Sequence, residues 1–364
     1  MTRAVPAYDA SRLHLERWPE PELQTLARCP LCGQSDRTPW LRDLCDQVFR
    51  VAPGRWTLWR CADCGVAYLD PRPDSASIGR AYGRYYTHGE VQRHLLVPGD
   101  RPGQRLKRAL LASYGRWRYG HRLKPAVPLG WLVVSASPLR RVRIDHQLRH
   151  LPAAGPDSVL LDVGCGDGSF LRIGRALGYR VQGIETDPRA AATAQQDGLP
   201  VHVGGIEDAP LAPGSIDQIT LNHVVEHLHD PLATLRRLHA LLRPGGRIWV
   251  QTPNIDSFGA ERFGPSWRGL EPPRHLVLFH VASLRKLLED AGFGGVQLLA
   301  PRPDGGFSAA QSWALAAGHD PYAPPGPEAR LAANQLAAAW ARATRHDWHR
   351  SESLTMVAWR STGP

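Results

Sequence analysis

The chain has 364 residues, 43% of them hydrophobic, and a formal net charge of +10 at pH 7. That length holds two domains, one large enough for a full α/β core, and the composition excludes a disordered or collagen-like chain. No run reaches the roughly 18 apolar residues of a membrane span, and the N-terminus MTRAVPAYDASRLHLERW lacks an apolar signal core, so a cytoplasmic protein is expected.

Residues 1–24 read as a loose N-terminal segment. Two knuckles follow, Cys29-Pro-Leu-Cys32-Gly and Cys61-Ala-Asp-Cys64-Gly. Each CxxC reverses the chain so that two thiolates point one way, and the glycine behind it admits the tight backbone. Two such pairs supply a closed tetrahedral S₄ site, which suits structural Zn²⁺ better than redox chemistry. With Thr57-Leu-Trp-Arg-Cys as a strand, residues 25–75 are expected to form a zinc ribbon. Cys45 is a bystander. A reduced compartment fits these thiols.

A basic helical bridge is expected over 76–154. Tyrosines recur at Tyr82, Tyr85 and Tyr86, and residues 101–150 carry twelve Lys or Arg against one acid, Asp145. Tyr114, Trp117, Tyr119 and Trp131 interleave with these cations. Such a pattern suits an anionic membrane surface, a phosphate-bearing substrate or nucleic acid, or a solvated face whose arginine stems cover apolar surface. Nucleic acid is the least expected of these, because no nucleic-acid fold signature accompanies the charge.

From about residue 155 strands and helices alternate, as a doubly wound α/β sheet requires. Residues 158–170, SVLLDVGCGDGSF, read as a buried parallel strand ending near Asp162, then a turn with Gly164, Gly166 and Gly168, then a helix start. The spacing is DxGxGxG, not the dinucleotide fingerprint GxGxxG. Glu185 stands 23 positions after Asp162 at the end of a second short strand, placed to accept both hydrogen bonds of a ribose diol. Further along come IDQITLNHVVEHLH (216–229), LLRPGGRIWVQTPN (241–254), a loop and helix over 262–293, an Ala-rich helix Glu328 to Thr344 and a last strand from Ser353.

These motifs together resemble the class I S-adenosylmethionine (SAM) methyltransferases, in particular a bacterial subgroup with an N-terminal pair of CxxC knuckles. The resemblance implies a seven-stranded, mostly parallel Rossmann-like sheet over 155–364, with a zinc ribbon and a helical cap. It implies a SAM site at Asp162, Gly164, Cys165, Gly166, Gly168, Glu185, Thr186, Ile206 and Asn222. Many relatives carry an acid after strand three for the adenine; here Gly205 stands there, so that acid is absent or displaced to Glu207 or Asp208. Tyr85 and Tyr86 of the cap are expected to touch cofactor or acceptor.

His223, Glu226 and His227 are spaced i, i+3, i+4, expected on one helical face. His223 or His227 is a candidate general base, with His275 as an alternative. Quinone-pathway O-methyltransferases of this superfamily bind a divalent metal at the corresponding triplet, so a metal at His223, Glu226 and His227 is a second expectation. In the loop after strand five, Trp267, Arg268 and Arg274 are expected to face the acceptor, the arginines holding a phosphate or carboxylate. The expected reaction is O-methylation of a small molecule or glycan, a phosphate-bearing acceptor included, with sugar C- or N-methylation and RNA modification as alternatives. The chain has no Asn/Asp-Pro-Pro-Tyr/Phe tetrad for base amino methylation.

Overall fold

The computed structural model describes residues 16–83, 102–302, 305–323 and 326–363. The N-terminal part contains β1 (Leu23–Gln24), β2 (Arg37–Leu44), β3 (Trp56–Cys61), β4 (Ala67–Leu69) and β5 (Arg72–Pro73). Three helices follow, α1 (Pro102–Tyr119), α2 (Gly130–Ser135) and α3 (Pro138–Gln147). The alternating part then runs β6 (Val159–Val163), α4 (Ser169–Ala176), β7 (Arg180–Glu185), α5 (Pro188–Gln196), β8 (Val201–Val203), β9 (Ile216–Asn222), α6 (Pro231–Leu241) and β10 (Leu242–Pro253). It ends with α7 (Phe258–Phe263), β11 (Val277–Leu278), α8 (Val281–Asp290), β12 (Gly294–Leu298), α9 (Gly305–Ala316), α10 (Pro327–Thr344) and β13 (Ser353–Trp359).

Seven strands form one sheet in the order β12-β13-β10-β9-β6-β7-β8. The pairings from β10 to β8 are all parallel, and β13 runs antiparallel to both its neighbours. Strand order reverses between β6 and β9, so a crevice opens beyond their carboxyl ends, where doubly wound sheets bind ligands. Local chemistry sets the helix starts. Asp187 and Asp230 cap α5 and α6 by accepting from Arg189 N and Ala233 N, each with proline at the first helical position. The expected final strand and Ala-rich helix are both present, as β13 and α10.

The ribbon is not bounded as its sequence suggests. β1, in the segment expected to be loose, pairs antiparallel with β5. More important, β11 from the loop after β10 pairs with β4 and completes a four-stranded sheet β11-β4-β3-β2. A single buried apolar cluster runs from Leu58, Tyr68 and Leu69 of the ribbon through Leu276 and Phe279 to Ile219, Ile248 and Met356. Among the described residues no helix is long and apolar enough to cross a membrane.

The two cysteine knuckles converge. Cys29 and Cys64 Sγ lie 3.6 Å apart, Cys32 and Cys61 Sγ 3.5 Å, and all four sulfurs fall within 4.8 Å of one another. A tetrahedron with Zn–S bonds near 2.3 Å has edges of about 3.8 Å, so the donor set fits the ion. Gly33 and Gly65 adopt φ of 75° and 69° and donate back to Cys29 O and Cys61 O. A side chain at Gly65 would strike His280, whose Nε2 lies 3.0 Å from Cys64 O, so the second knuckle rests on the start of α8. Metal analysis of the parent is therefore expected to find one zinc per chain, and Cys61→Ser, which removes one of the four donors, to bind none and to melt roughly 5 °C or more lower. Metal analysis with a thermal melt checks this; a variant that melts like the parent after zinc loss contradicts it.

Candidate active site

The turn after β6 is built from backbone. Gly164, Gly166 and Gly168 have φ of 68°, 55° and 78°, the left-handed region that disfavours side chains. A Cβ on Gly164 would meet Val224 Cγ2 at 2.6 Å, and one on Gly168 would meet Leu199 and Ala194. The turn is thus pressed against the tip of β9 on one side and α5 on the other. Cys165 is a buried filler whose Sγ occupies the space over Gly183.

Two buried carboxylates flank the turn. Glu185 Oε2 accepts from Gly166 N at 2.7 Å and Oε1 from Asp187 N at 2.9 Å. Each oxygen keeps a lone pair for a diol, and burial pushes the carboxyl above its ordinary pKa, opposed by those N–H donors. Asp162 Oδ1 accepts from Arg149 and, at 2.7 Å, from Thr220 Oγ1. Its Oδ2 is buried without a partner among the described residues, an acceptor that an amino group at the turn can satisfy. Burial raises the Asp162 pKa while Arg149 opposes it. Arg149 escapes sequence reasoning, since nothing marks it out among the twelve cations of its segment.

The remaining expected cofactor residues line the same edge. Thr186 is exposed just beyond Glu185, and Asn222 ends β9 opposite Gln251. Ile206 is buried, and its carbonyl accepts from Arg237 Nε at 2.8 Å. Glu207 Oε2 lies 2.7 Å from where a Cβ on Gly205 would stand, so a displaced acid does fold back over the vacant position.

At the tip of β9 the structure corrects the sequence reading. His223, Glu226 and His227 share no α-helical face. His223 is left-handed at φ 56°, Val225–His227 is a single 3₁₀ turn, and the α-helix begins only at Pro231. The metal triplet expected at these three residues is not the group brought together. Glu226, His227 and His275 instead place donor atoms within 4.8 Å of one another. That trio is closed by hydrogen bonds: Glu226 Oε2 accepts from Thr252 Oγ1, His227 Nδ1 lies 3.0 Å from Arg274 O and from the Tyr82 hydroxyl, and His275 Nδ1 lies 2.8 Å from Gly269 O. Burial pushes the His227 pKa down and takes His275 to about 4. Both rings stay neutral at pH 7.

His223 differs. Its side chain is 29% exposed, and Nδ1 lies 3.1 Å from Oε1 of the wholly buried Glu226. Burial alone would raise the Glu226 pKa, but the His223 hydrogen bond and the nearby imidazoles outweigh it and hold the carboxyl at about 2. The carboxylate therefore accepts a hydrogen bond from Nδ1–H, which leaves the lone pair on Nε2. There the Gln251 amide makes only a long contact of 3.4 Å.

The loop after β10 also departs from expectation. Arg274 has no exposed side-chain surface; its guanidinium donates to Asp46 Oδ1 at 2.5 Å, Asp46 Oδ2 at 3.0 Å and Ala81 O at 2.9 Å. Arg268 pairs with Glu271 and donates to the Tyr322 hydroxyl at 2.7 Å. Trp267 is buried and donates Nε1–H to Glu352 at 2.9 Å. These charges are already compensated inside the protein, so the two arginines are not an acceptor clamp and Trp267 is a packing residue. Tyr85 and Tyr86 lie outside the described residues. Their neighbour Tyr82 reaches His227, a link that the sequence reading did not anticipate.

Known proteins match the part of the chain that carries this site. Residues 137–298 fit the family described as a methyltransferase domain. Residues 137–298 form a methyltransferase domain. A ubiquinone biosynthesis O-methyltransferase of Xanthomonas campestris pv. campestris (strain B100) is 35% identical over 123 residues, 32% of this chain and 51% of that protein. A probable S-adenosylmethionine-dependent methyltransferase of Mycolicibacterium smegmatis is 31% identical over 156 residues, 42% of this chain and 58% of that protein. The chain thus spans little more than half the length of these relatives. Among solved structures, the Haemonchus contortus phosphoethanolamine N-methyltransferase 2 complex with phosphomonomethylethanolamine and S-adenosylhomocysteine has 15% identity and a TM-score of 0.45, covering 82% of this chain and 63% of that one. The complex of the Haloferax volcanii Trm112 methyltransferase activator with a methyltransferase has 21% identity and a TM-score of 0.44, covering 60% and 89%.

Two measurements probe the methyltransferase domain. Glu185→Gln keeps the shape but removes the charge that a diol would meet, so S-adenosylhomocysteine affinity is expected to fall roughly tenfold or more by calorimetry. Unchanged affinity would place the ribose elsewhere. The second concerns acid stability. His275 and His150 are held neutral by burial, at about 4 and about 3, while an unfolded histidine titrates near 6.5. Their stabilisation is complete above pH 6.5 and is lost as pH falls, because the unfolded chain takes up protons first. His275 alone accounts for about 2 kcal/mol by pH 5. Urea unfolding at pH 7.5 and pH 5 should show the parent losing more stability than His275→Asn; equal losses would contradict the assignment.

Proposed function

We propose that this protein transfers a methyl group from SAM to a hydroxyl of a small-molecule or glycan acceptor, with His223 as the general base. The observation that carries the reading is the His223–Glu226 pair at the end of β9, one residue before Val224, which packs on the glycine turn. A base needs a free nitrogen at the open end of the sheet and a partner that fixes its tautomer, and this pair supplies both. SAM, when bound, contributes a methyl group already activated on a positively charged sulfur.

The chain's own groups do the rest. The acceptor hydroxyl, seated against Nε2, gives its proton to His223 as its oxygen bonds to the methyl carbon and the carbon–sulfur bond breaks. The imidazolium that results is stabilised by the buried Glu226 carboxylate. The products are a methyl ether, S-adenosylhomocysteine and a proton that leaves through the exposed edge of the ring. Glu185 and the glycine turn orient the donor, so the gain comes largely from alignment. Because Arg268 and Arg274 are paired internally, the reading favours a neutral acceptor over a phosphate-bearing one. Structural zinc at Cys29, Cys32, Cys61 and Cys64 belongs to the same proposal.

His223→Ala is expected to lower kcat for the methyl acceptor by about 100-fold or more, and Glu226→Gln by about tenfold, with S-adenosylhomocysteine affinity kept within about twofold. Acceptor-dependent transfer of radiolabelled methyl measures the rate. If His223→Ala turns over like the parent while His227→Ala or His275→Ala does not, the base has been misassigned.

A further inference from the structure

We propose that the surface formed by α1, α2 and the segment joining them docks the protein onto an anionic lipid bilayer. Among the described residues twelve large apolar side chains are exposed, and seven of them fall between Leu106 and Leu139. The concentration has a structural cause. α2 packs on α1 through its small face, where a Cβ on Gly130 would come within 3.1 Å of Leu110 and Ser113 and where Val134 is buried. Its other face is left in water, with Leu132 and Val133 about half exposed and Leu129, just ahead of the helix, 67% exposed. Trp117 stacks on Trp131 with ring centroids 4.7 Å apart, extending the patch onto α1.

Exposed cations accompany these side chains along the same stretch of chain. Arg116 and Lys124 line one hollow with Leu123, Pro125 and Ala126, and Arg118, Arg122, Arg140, Arg141 and Arg143 are exposed nearby in the sequence. Among the described residues none of the seven pairs with an acid, and the one acid of the region, Asp145, accepts from the Tyr114 and Tyr119 hydroxyls instead. Unpaired positive charge around exposed Leu, Val and Trp is the pattern of a surface that lies in a headgroup layer, with the apolar side chains reaching the acyl boundary. Nucleic acid would satisfy the cations and the tryptophans but has nothing to cover Leu129, Leu132 and Val133. A second copy of the chain would set like charge against like charge.

Flotation with phosphatidylcholine vesicles, with and without about 30% phosphatidylglycerol, tests this on the full chain. The protein is expected to float at least tenfold more with the anionic vesicles at low salt and to be released by about 0.5 M NaCl. Joint Leu129→Ser, Leu132→Ser and Val133→Ser replacement should reduce flotation about tenfold with parental zinc content and S-adenosylhomocysteine affinity. Arg116→Gln with Lys124→Gln should reduce it several-fold without touching the apolar face. No flotation on anionic vesicles at low salt overturns the proposal. So does a triple variant that floats like the parent, or binding of a labelled RNA oligonucleotide by a protein that ignores the vesicles.

Discussion

The interaction on which the rest of the molecule depends is the buried Arg274 guanidinium. It joins three parts of the chain, with Asp46 of the ribbon, Glu271 of its own loop and the carbonyl of Ala81 all around it. Asp46 also accepts from the backbone N–H groups of Phe49, Val51 and Ala52, and the Phe49 ring lies 4.4 Å from the guanidinium carbon. Burying such ions costs several kcal/mol each, which is recovered only if every donor and acceptor is used. Here the pairing is dense, and removing Arg274 alone would leave the buried Asp46 carboxylate with backbone donors and no cation, while Glu271 would keep Arg268. The return for that cost is position. The loop cannot move without breaking the network, and its next residue, His275, is held with its ring centroid 4.8 Å from that of His227.

This explains why the ribbon matters to a site it does not enter. β4 pairs with β11 on one side of the histidines, and Leu276 N donates to Glu226 O on the other. The cysteine knuckles brace the first contact and the end of β9 carries the second. His227 and His275 therefore form a rigid neutral floor beneath the sheet tip, while His223 alone stands at the open edge. Three histidines close in space have separate duties because burial divides them.

What could be read from the sequence follows from how local each determinant is. The β6 strand, the glycine turn, Glu185 and the four cysteines are set by short-range rules, so pattern and spacing reveal them. The histidine triplet misled because i, i+3, i+4 spacing marks a helical face only if the backbone is helical. The true start of α6 was written nearby, in Asp230 and Pro231. The roles of Arg274 and β11 were beyond pattern: a pair separated by 228 positions and a strand of two residues leave no periodicity to detect. An arginine in a loop over a pocket suggests a ligand clamp, and only the partner across the fold shows that its charge is spent.

Arg149 carries the same lesson toward the cofactor. It follows α3 in the left-handed region, at φ 44°. Its guanidinium meets Asp162 and Thr220 and lies 3.7 Å from the centre of the Phe170 ring. The family match begins at residue 137 and so takes in α3. Two donors saturate one oxygen of Asp162 and leave the other without a partner among the described residues. Arg149 thereby opposes the upward push that burial gives this carboxyl and commits only half of it to the fold. The helices that carry the exposed apolar surface are thus tied, through one buried charge pair, to the strand that ends in the glycine turn.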